Sequence, residues 1–275
     1  IAAFGSIAEH AAVVEAAAPR GIHVMVEKPL AFSLEDAMRI EALAKRHGIH
    51  VLTNYETTWY PSGYSAYELV HNKGAIGPIR KFIIRDGHFG PKELDVPSEF
   101  LSWLTDPKQN GGGALIDFGC YGANLATWLM RGALPNSVTA VTQQLKNDAT
   151  YARVDDEATI ILAYANAQAI IQGSWNWPDH RKDLEIFGTH GYVFTPDATN
   201  VRMRLRGEPA EKAVAPQQLE SRYKNCFAYL AAVVRGELRV AEADRSSLAN
   251  NLTVVRILDA ARRSAQSRQT IILEG

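Results

Sequence analysis

Three short apolar runs in the first 54 residues are separated by two helix-forming segments, and after Asn54 that alternation stops. Ile1 to Phe4 read as the end of one strand, "IHVMVE" (22–27) as a second and "IHVLTN" (49–54) as a third. Ser6-Ile7-Ala8-Glu9 has the spacing of a capping box and opens an Ala-rich helix that lasts until Pro19-Arg20-Gly21. Ser33 caps the next helix. Leu34, Ala37, Met38, Ile40, Leu43 and Ala44 form its apolar side, and Gly48 ends it. Strands joined through helices by short links pair in parallel through right-handed crossovers. Three of them amount to about half of a doubly wound sheet.

The remainder follows another rule. "YSAYELVHNKG" predicts a helix closed by Gly74, "IRKFIIRDGHF" a strand, and a loop rich in Pro, Asp and Ser follows. "GGGALIDFGCYGANLATWLMRG" leads from a glycine hinge into a helix. Then come "SVTAVTQQL", "ATIILAYA", "QAIIQGSWNW", "DLEIFG" and "VRMRLR", β-type runs with Asn, Asp or Gly in the turns and no helices between them. That pattern predicts a large, mainly antiparallel sheet. Helices around 217–235 and 243–266 finish the chain. The expected fold class is α/β plus α+β. Residues 1–54 are the C-terminal part of a Rossmann-type parallel sheet, and 55–275 form an α+β domain with a large open sheet and helices.

With 275 residues, 47% of them hydrophobic, the chain has material for two cores. Its 29 basic and 30 acidic side chains leave a formal charge of −1, so nucleic acid and anionic membranes are not expected partners. No apolar run is long enough to cross a bilayer. Cys120 and Cys226 match no metal or redox spacing and read as reduced, buried thiols, which suits a cytoplasmic protein. The eight histidines have no ligand spacing, and no metal is expected. The chain opens inside an apolar run with no initiator Met and no signal-peptide pattern, so sequence is expected before Ile1 and with it any export signal.

Two constellations carry chemistry. The run Val24-Met25-Val26 stops at Glu27-Lys28-Pro29. Ligands of open parallel sheets bind beyond the carboxyl ends of the strands, where Lys28 stands, and Pro29 biases Lys28 towards extended backbone. A lysine held against an apolar strand end is expected to lose proton affinity, as acid–base work requires. The plainer reading is a solvated strand cap with Glu27 as its ion partner. In "GGGALIDFGCYGANLATW", Asp117 and Tyr121 are four apart and share a face if the helix has begun by Asp117. A lysine beside Tyr121 would lower the phenol pKa. Leu125, Trp128 and Leu129 read as the core stripe of the same helix.

In order along the chain come His10, "HVMVEKP", a strand ending in Asn54, "GAIGPIRK", "GGGALIDFGCYGANL" and a Trp-containing strand followed by "IFGTHG". This series resembles the glucose–fructose oxidoreductase / inositol dehydrogenase (Gfo/Idh/MocA) family of NAD(P)-dependent enzymes over nearly the whole chain. The resemblance implies NAD or NADP as cofactor, bound near Ser6, His10, Glu27, Lys28, Pro29 and Asn54, with the Gly-rich phosphate loop before Ile1. It implies Lys28 and Asp117 as catalytic groups. Tyr121 replaces the histidine of most members and Asn124 the aspartate that often follows. That resembles the branch with glucose–fructose oxidoreductase, sugar 1-dehydrogenases and dihydrodiol dehydrogenases, and it makes Tyr121 the third catalytic group. Tyr55, Trp59, Asn124, Trp175, His180 and Arg181 are candidates for substrate contacts, with Trp177 and Lys182 beside the last three in "GSWNWPDHRKDLEIFG" near a strand end. Arg202, Arg204 and Arg206 read as the solvent face of a strand, and Asp155-Asp156-Glu157 as a solvated turn.

The expected function is hydride transfer between a sugar or polyol hydroxyl and nicotinamide, with Lys28 and Tyr121 moving the proton. The alternatives are an NAD-dependent glycosidase working by transient oxidation, and a non-catalytic or truncated relative. A homo-oligomer through the antiparallel sheet is expected, because that sheet has a face to cover.

Overall fold

A computed structural model describes residues 1–274. Strands β1 (Ala2–Ala3), β2 (Val24–Glu27) and β3 (Val51–Asn54) form a three-stranded parallel sheet in that order. Helix α1 (His10–Ala17) crosses from β1 to β2 and α2 (Leu34–His47) from β2 to β3. Glu9 accepts the Ser6 N–H at 2.9 Å, one half of the expected capping box. Ser33 Oγ accepts the Asp36 N–H at 3.1 Å, and Gly48 ends α2 at φ +63°. Met38 is an exception to the expected apolar side of α2: it is 56% exposed, because the face against the sheet is the narrower stripe of Ala37, Ile40 and Ala44.

Alternation along β2 sends its side chains to two layers. Val24 and Val26 pack with α1, α2 and Val255 of the long C-terminal helix, whereas Met25 and Leu52 pack with Cys226, Tyr229 and Val233 on the other face. The end of the chain therefore returns to cover the parallel sheet on both faces.

The second sheet has nine strands: β4 (Ile79–Gly87), β5 (Ser137–Gln143), β6 (Glu157–Ala163), β7 (Gln168–Ser174), β8 (Arg181–Gly188), β9 (Gly191–Thr195), β10 (Val201–Leu205), β11 (Lys212–Val214) and β12 (Ile271–Ile272). Their spatial order is β11-β10-β9-β8-β4-β7-β6-β5-β12, and among the described residues β4–β7 is the one parallel pair of this sheet. Three of these strands, β9, β11 and β12, lie outside the runs picked out in the sequence. Five further helices are α3 (Pro61–Tyr67), α4 (Ser98–Leu104), α5 (Pro107–Asn110), α6 (Ala114–Asp117) and α7 (Gly119–Leu129); α8 (Cys226–Val234) and α9 (Leu248–Ser267) complete the set. The Pro-rich segment expected to be loop holds α4 and α5: Pro97 precedes the first turn of α4, and Pro107 opens α5 at a position with no N–H to satisfy. The helix expected from 217 starts only at Cys226, where Asn225 caps it by accepting the Ala228 N–H at 2.9 Å.

Phe82 and Ile84 of β4, Ile160 of β6, Ile171 of β7 and Ile186 of β8 form one buried face with α7 and α9. Gly122 lets α7 approach closely, since a Cβ there would meet Ile171 Cγ2 at 2.2 Å. No helix among the described residues is long and apolar enough to cross a membrane.

Candidate active site

The helix expected to carry both Asp117 and Tyr121 is broken between them. Phe118 (φ −108°, ψ −31°) separates α6 from α7. Asp155 causes α6 to start where it does: its carboxylate accepts the N–H groups of Gly113 (3.0 Å) and Leu115 (2.7 Å), and its carbonyl that of Ala114 (2.9 Å). Gly113 is required, because a Cβ would stand 1.7 Å from the Asp155 carbonyl oxygen. The acidic turn is thus not a solvated one. Asp156 is fully buried and accepts the N–H groups of Leu145 and Lys146, both at 2.8 Å.

This break aims Asp117 at the carboxyl end of β2. Lys28, whose peptide bond to Pro29 is cis, donates from Nζ to Asp117 Oδ1 at 2.5 Å and to its carbonyl oxygen at 3.2 Å. The second carboxylate oxygen of Asp117 accepts the Trp175 indole N–H at 2.9 Å. Lys28 Nζ lies 5.2 Å from the centre of the Tyr121 ring, and Lys182 Nζ lies 4.8 Å from it. Tyr121 is thus flanked by two ammonium groups. It meets Tyr55 edge to face at 5.5 Å and stacks with Phe118 at 6.0 Å.

Behind this cluster, Glu27 accepts the Lys28 N–H at 3.2 Å and the Asn54 amide, and Asn54 accepts the Trp59 indole N–H at 2.9 Å. Lys182 pairs with Glu56, which also accepts the Tyr60 hydroxyl.

The electrostatics reverse the expectation for both proton carriers. Burial alone would pull the Lys28 pKa down, but the Asp117 carboxylate and its hydrogen bond outweigh it, so Lys28 rises above the usual lysine range. Asp117 falls below the usual carboxylate range: burial opposes ionisation, and the Lys28 charge with the Lys28 and Trp175 hydrogen bonds prevails. Burial pushes the Tyr121 phenol well above its ordinary value, with Cys120, Glu56, Glu27 and Asp117 adding to it. At neutral pH the site holds an ammonium, a carboxylate and a neutral phenol.

Lys28, Asp117, Tyr121, Tyr55, Glu27, Pro29, Asn54 and Trp59 come together, but other candidates fall elsewhere. Trp175 has no exposed surface, so it holds Asp117 rather than presenting a face to a sugar. Asn124 is fully buried and donates to the Arg245 carbonyl at 2.8 Å. His180 and Arg181 lie exposed on a rim, with Arg181 paired to Asp183 and 5.6 Å from the Trp177 ring centre. Ser6 and His10 are buried beside β1. His10 Nδ1 lies 3.2 Å from the Leu30 carbonyl, and its Nε2 has no partner.

Three further groups enter the site. Lys182 and Asp86 are cross-strand neighbours on β8 and β4. His88 accepts the Gly90 N–H on Nδ1 at 2.9 Å and meets Phe118 edge to face at 4.9 Å; burial pulls its pKa down to about 4. A groove of about 390 Å³ is lined by Phe4, Gly5, Ser6 and Glu9 together with Phe100 and Trp103. No group of three or more His, Cys, Asp or Glu side chains suited to a metal ion occurs among the described residues.

Residues 3–55 match the model of the oxidoreductase family with an NAD-binding Rossmann fold, and residues 66–194 match that of the GFO/IDH/MocA C-terminal domain. The chain belongs to the Gfo/Idh/MocA family. Among curated relatives, trans-1,2-dihydrobenzene-1,2-diol dehydrogenase of Xenopus tropicalis is 28% identical over 187 residues, 68% of this chain and 52% of the relative. D-xylose 1-dehydrogenase (NADP(+)) 2 of Haloferax volcanii is 25% identical over 279 residues, 96% of this chain and 77% of the relative. The chain spans about half the length of the dihydrodiol dehydrogenases it matches. Aldose-aldose oxidoreductase from Caulobacter crescentus, complexed with glycerol, superposes with a TM-score of 0.81 at 24% identity, covering 99% of this chain and 79% of that one. An inositol dehydrogenase homologue from Azotobacter vinelandii, complexed with NAD+, superposes at 0.84 and 19% identity, covering 99% and 78%. At these identities the structural likeness establishes the Gfo/Idh/MocA fold, whose two sheets are the two described above.

Proposed function

We propose that this protein is an NAD(P)-dependent oxidoreductase acting on the hydroxyl or carbonyl group of a sugar or polyol. The observation that carries this is the Lys28 ammonium at the carboxyl end of a parallel strand, held by Asp117 and facing the Tyr121 ring. Family membership supports it, as do relatives whose names denote oxidoreduction of sugars and diols. Residues 1–54 serve the dinucleotide and 55–275 the substrate.

The groove beside β1 is the candidate place for a dinucleotide's reactive end: Gly5 and Ser6 line it, His10, whose Nε2 lacks a partner, follows Glu9 of its wall, and Lys28 stands at the neighbouring strand end. Gly5, Ser6, His10, Glu27 and Asn54 would hold that end. A bound nicotinamide would supply the hydride for reduction or receive it in oxidation. In the reductive direction, Lys28 donates a hydrogen bond to the carbonyl oxygen and stabilises the charge that develops there. As the carbonyl carbon is reduced, its oxygen takes the Tyr121 proton, leaving a phenolate between the Lys28 and Lys182 ammonium groups. Asp117 keeps Lys28 aimed and charged throughout.

We also propose a homo-oligomer through the outer face of the nine-stranded sheet, where Ile83, Ile170 and Ile161 stand side by side on β4, β7 and β6, each partly exposed. Sedimentation at micromolar concentration tests it, and a monomer would contradict it. Activity is tested by following nicotinamide absorbance with NAD or NADP against D-glucose, D-xylose and myo-inositol and their keto forms. Turnover of at least one pair is expected; none with any would overturn the reading.

A further inference from the structure

Asp86 ends the buried face of β4 and is 1% exposed, yet neither of its carboxyl oxygens has a hydrogen-bond partner. It lines a narrow cavity of about 20 Å³, room for a single hydroxyl or water, bounded by Thr57, Tyr60, Ser62, Lys182 and Arg245. Thr57, 5% exposed, brings a hydroxyl that also lacks a partner. The cations in this wall are committed elsewhere. Arg245 donates to the Thr57 and Thr58 carbonyls, and Lys182 is paired with Glu56. A carboxyl group left in this state is costly unless something it can hydrogen-bond enters the cavity.

The cavity adjoins the proposed site. Leu125 in its wall stands one turn beyond Tyr121 on α7, and Lys182 over the Tyr121 ring is another part of that wall. Tyr60 and Lys182 also line an outer cleft of about 530 Å³ with Glu56, His180, Arg181 and Asp197. These two side chains are shared by the outer cleft and the cavity.

We propose that the inner cavity is a subsite that reads one hydroxyl of the substrate, with Asp86 and Thr57 as its hydrogen-bonding pair and Lys182 as the movable wall in front of it. This deepens the oxidoreductase reading and rests on it. Burial drives the Asp86 carboxyl well above the usual carboxylate range, against the pull of the Lys182 and Lys28 charges, which favours the protonated form that both donates and accepts. That is the chemistry of hydroxyl recognition, and a neutral acid gives no strong hold on a cation. An anionic substituent would instead meet Glu56 and Asp183 nearby.

The test compares kcat/KM for whichever of D-glucose, D-xylose or myo-inositol is turned over fastest with that for each of its monodeoxy analogues. A pocket built to bond a hydroxyl rejects the analogue lacking it, so the wild type should discriminate against one analogue by roughly 10- to 100-fold. In Asp86→Leu that discrimination should collapse to about threefold or less, while the ratios for the other analogues stay as they were. Asp86→Asn should keep part of it, and Thr57→Val gives a second reading should Asp86→Leu fail to fold. Discrimination unchanged in all three variants would overturn the subsite and leave the cavity as a place for a fixed water. Absence of wild-type turnover with every sugar and polyol would overturn the oxidoreductase reading and this one with it.

Discussion

Lys28 and Asp117 are 89 positions apart in the chain and 2.5 Å apart in the fold. Their contact joins the carboxyl end of the parallel sheet to the short helix lying on the large one. It fixes the protonation state of both groups, and two structural accidents make it available: the break at Phe118 and the indole of Trp175 on the far oxygen of Asp117.

Trp175→Phe keeps the buried ring and removes one hydrogen bond to a buried carboxylate. The expected loss is about 1–3 kcal/mol of stability in urea denaturation. Turnover should fall as well, because Asp117 is then free to rotate and Lys28 with it. Unaltered stability and turnover would show that Asp117 is held by Lys28 alone.

The Lys28–Asp117 pair should stabilise the fold by a constant amount across the neutral range. Asp117 is depressed, so its contribution is present above the unfolded value of 3.8 and lost as pH falls through its lower folded pKa. Lys28 is raised, so its contribution is present below 10.5 and lost as pH rises through its higher folded pKa. Lys28→Met should therefore cost about 3–5 kcal/mol at about pH 7 and 9, and less towards about pH 5, where the unpaired, buried Asp117 takes up a proton. A cost that differs between pH 7 and 9 would mean the pair is not ionised as described.

What the sequence made legible follows from locality. The capped helices and β-branched runs of the first 54 residues are local patterns, and they placed Lys28 at a strand end. The strands β4 to β8 were legible by the same alternation. Asp86 was not assigned to the site because its partnership with Lys182 exists only through the pairing of β4 with β8, 96 residues away, and register over such a distance leaves no local mark. Trp175 and Asn124 carry side-chain types that suit a sugar, but whether a ring faces a cleft or a buried carboxylate depends on what packs over it. The lowered lysine pKa failed for the same reason: burial was foreseeable from the apolar strand, whereas the strength of Asp117 beside it was a matter of distance. In α4 and α5 the prolines marked helix starts, although proline-rich composition usually reads as loop.

Arg245 is 2% exposed between the rings of Tyr64 (4.3 Å) and Trp128 (4.2 Å), and donates to the Thr57 and Thr58 carbonyls at 2.8 and 3.0 Å. These contacts fasten the Glu56–Trp59 turn to the segment before α9. A planar fork is needed to stack on two rings and reach two carbonyls, so Arg245→Lys should not be conservative. It should cost about 2–4 kcal/mol in thermal or urea unfolding. A cost within about 0.5 kcal/mol would show that the turn is fixed by other contacts.

Asp86 should be a stability liability that grows with pH. Its folded pKa is raised, so the folded state binds a proton that the unfolded chain releases, and stability falls as pH rises above 3.8 towards the folded value. Asp86→Leu should be more stable than wild type at neutral pH by about 1–3 kcal/mol, with a gap that narrows as pH falls towards 4. A variant less stable than wild type at every pH would mean that the carboxyl is satisfied in the folded protein.

The most direct test of the central claim is single-turnover reduction of the preferred keto substrate by Lys28→Met with saturating NADH or NADPH, alongside the dissociation constant of that cofactor. Loss of one charged hydrogen bond to the reacting oxygen should slow the chemical step by about 10²- to 10³-fold and change cofactor affinity by less than about threefold. A chemical step at the wild-type rate would contradict the assignment of Lys28 to the reacting oxygen and leave its ion pair with Asp117 as architecture.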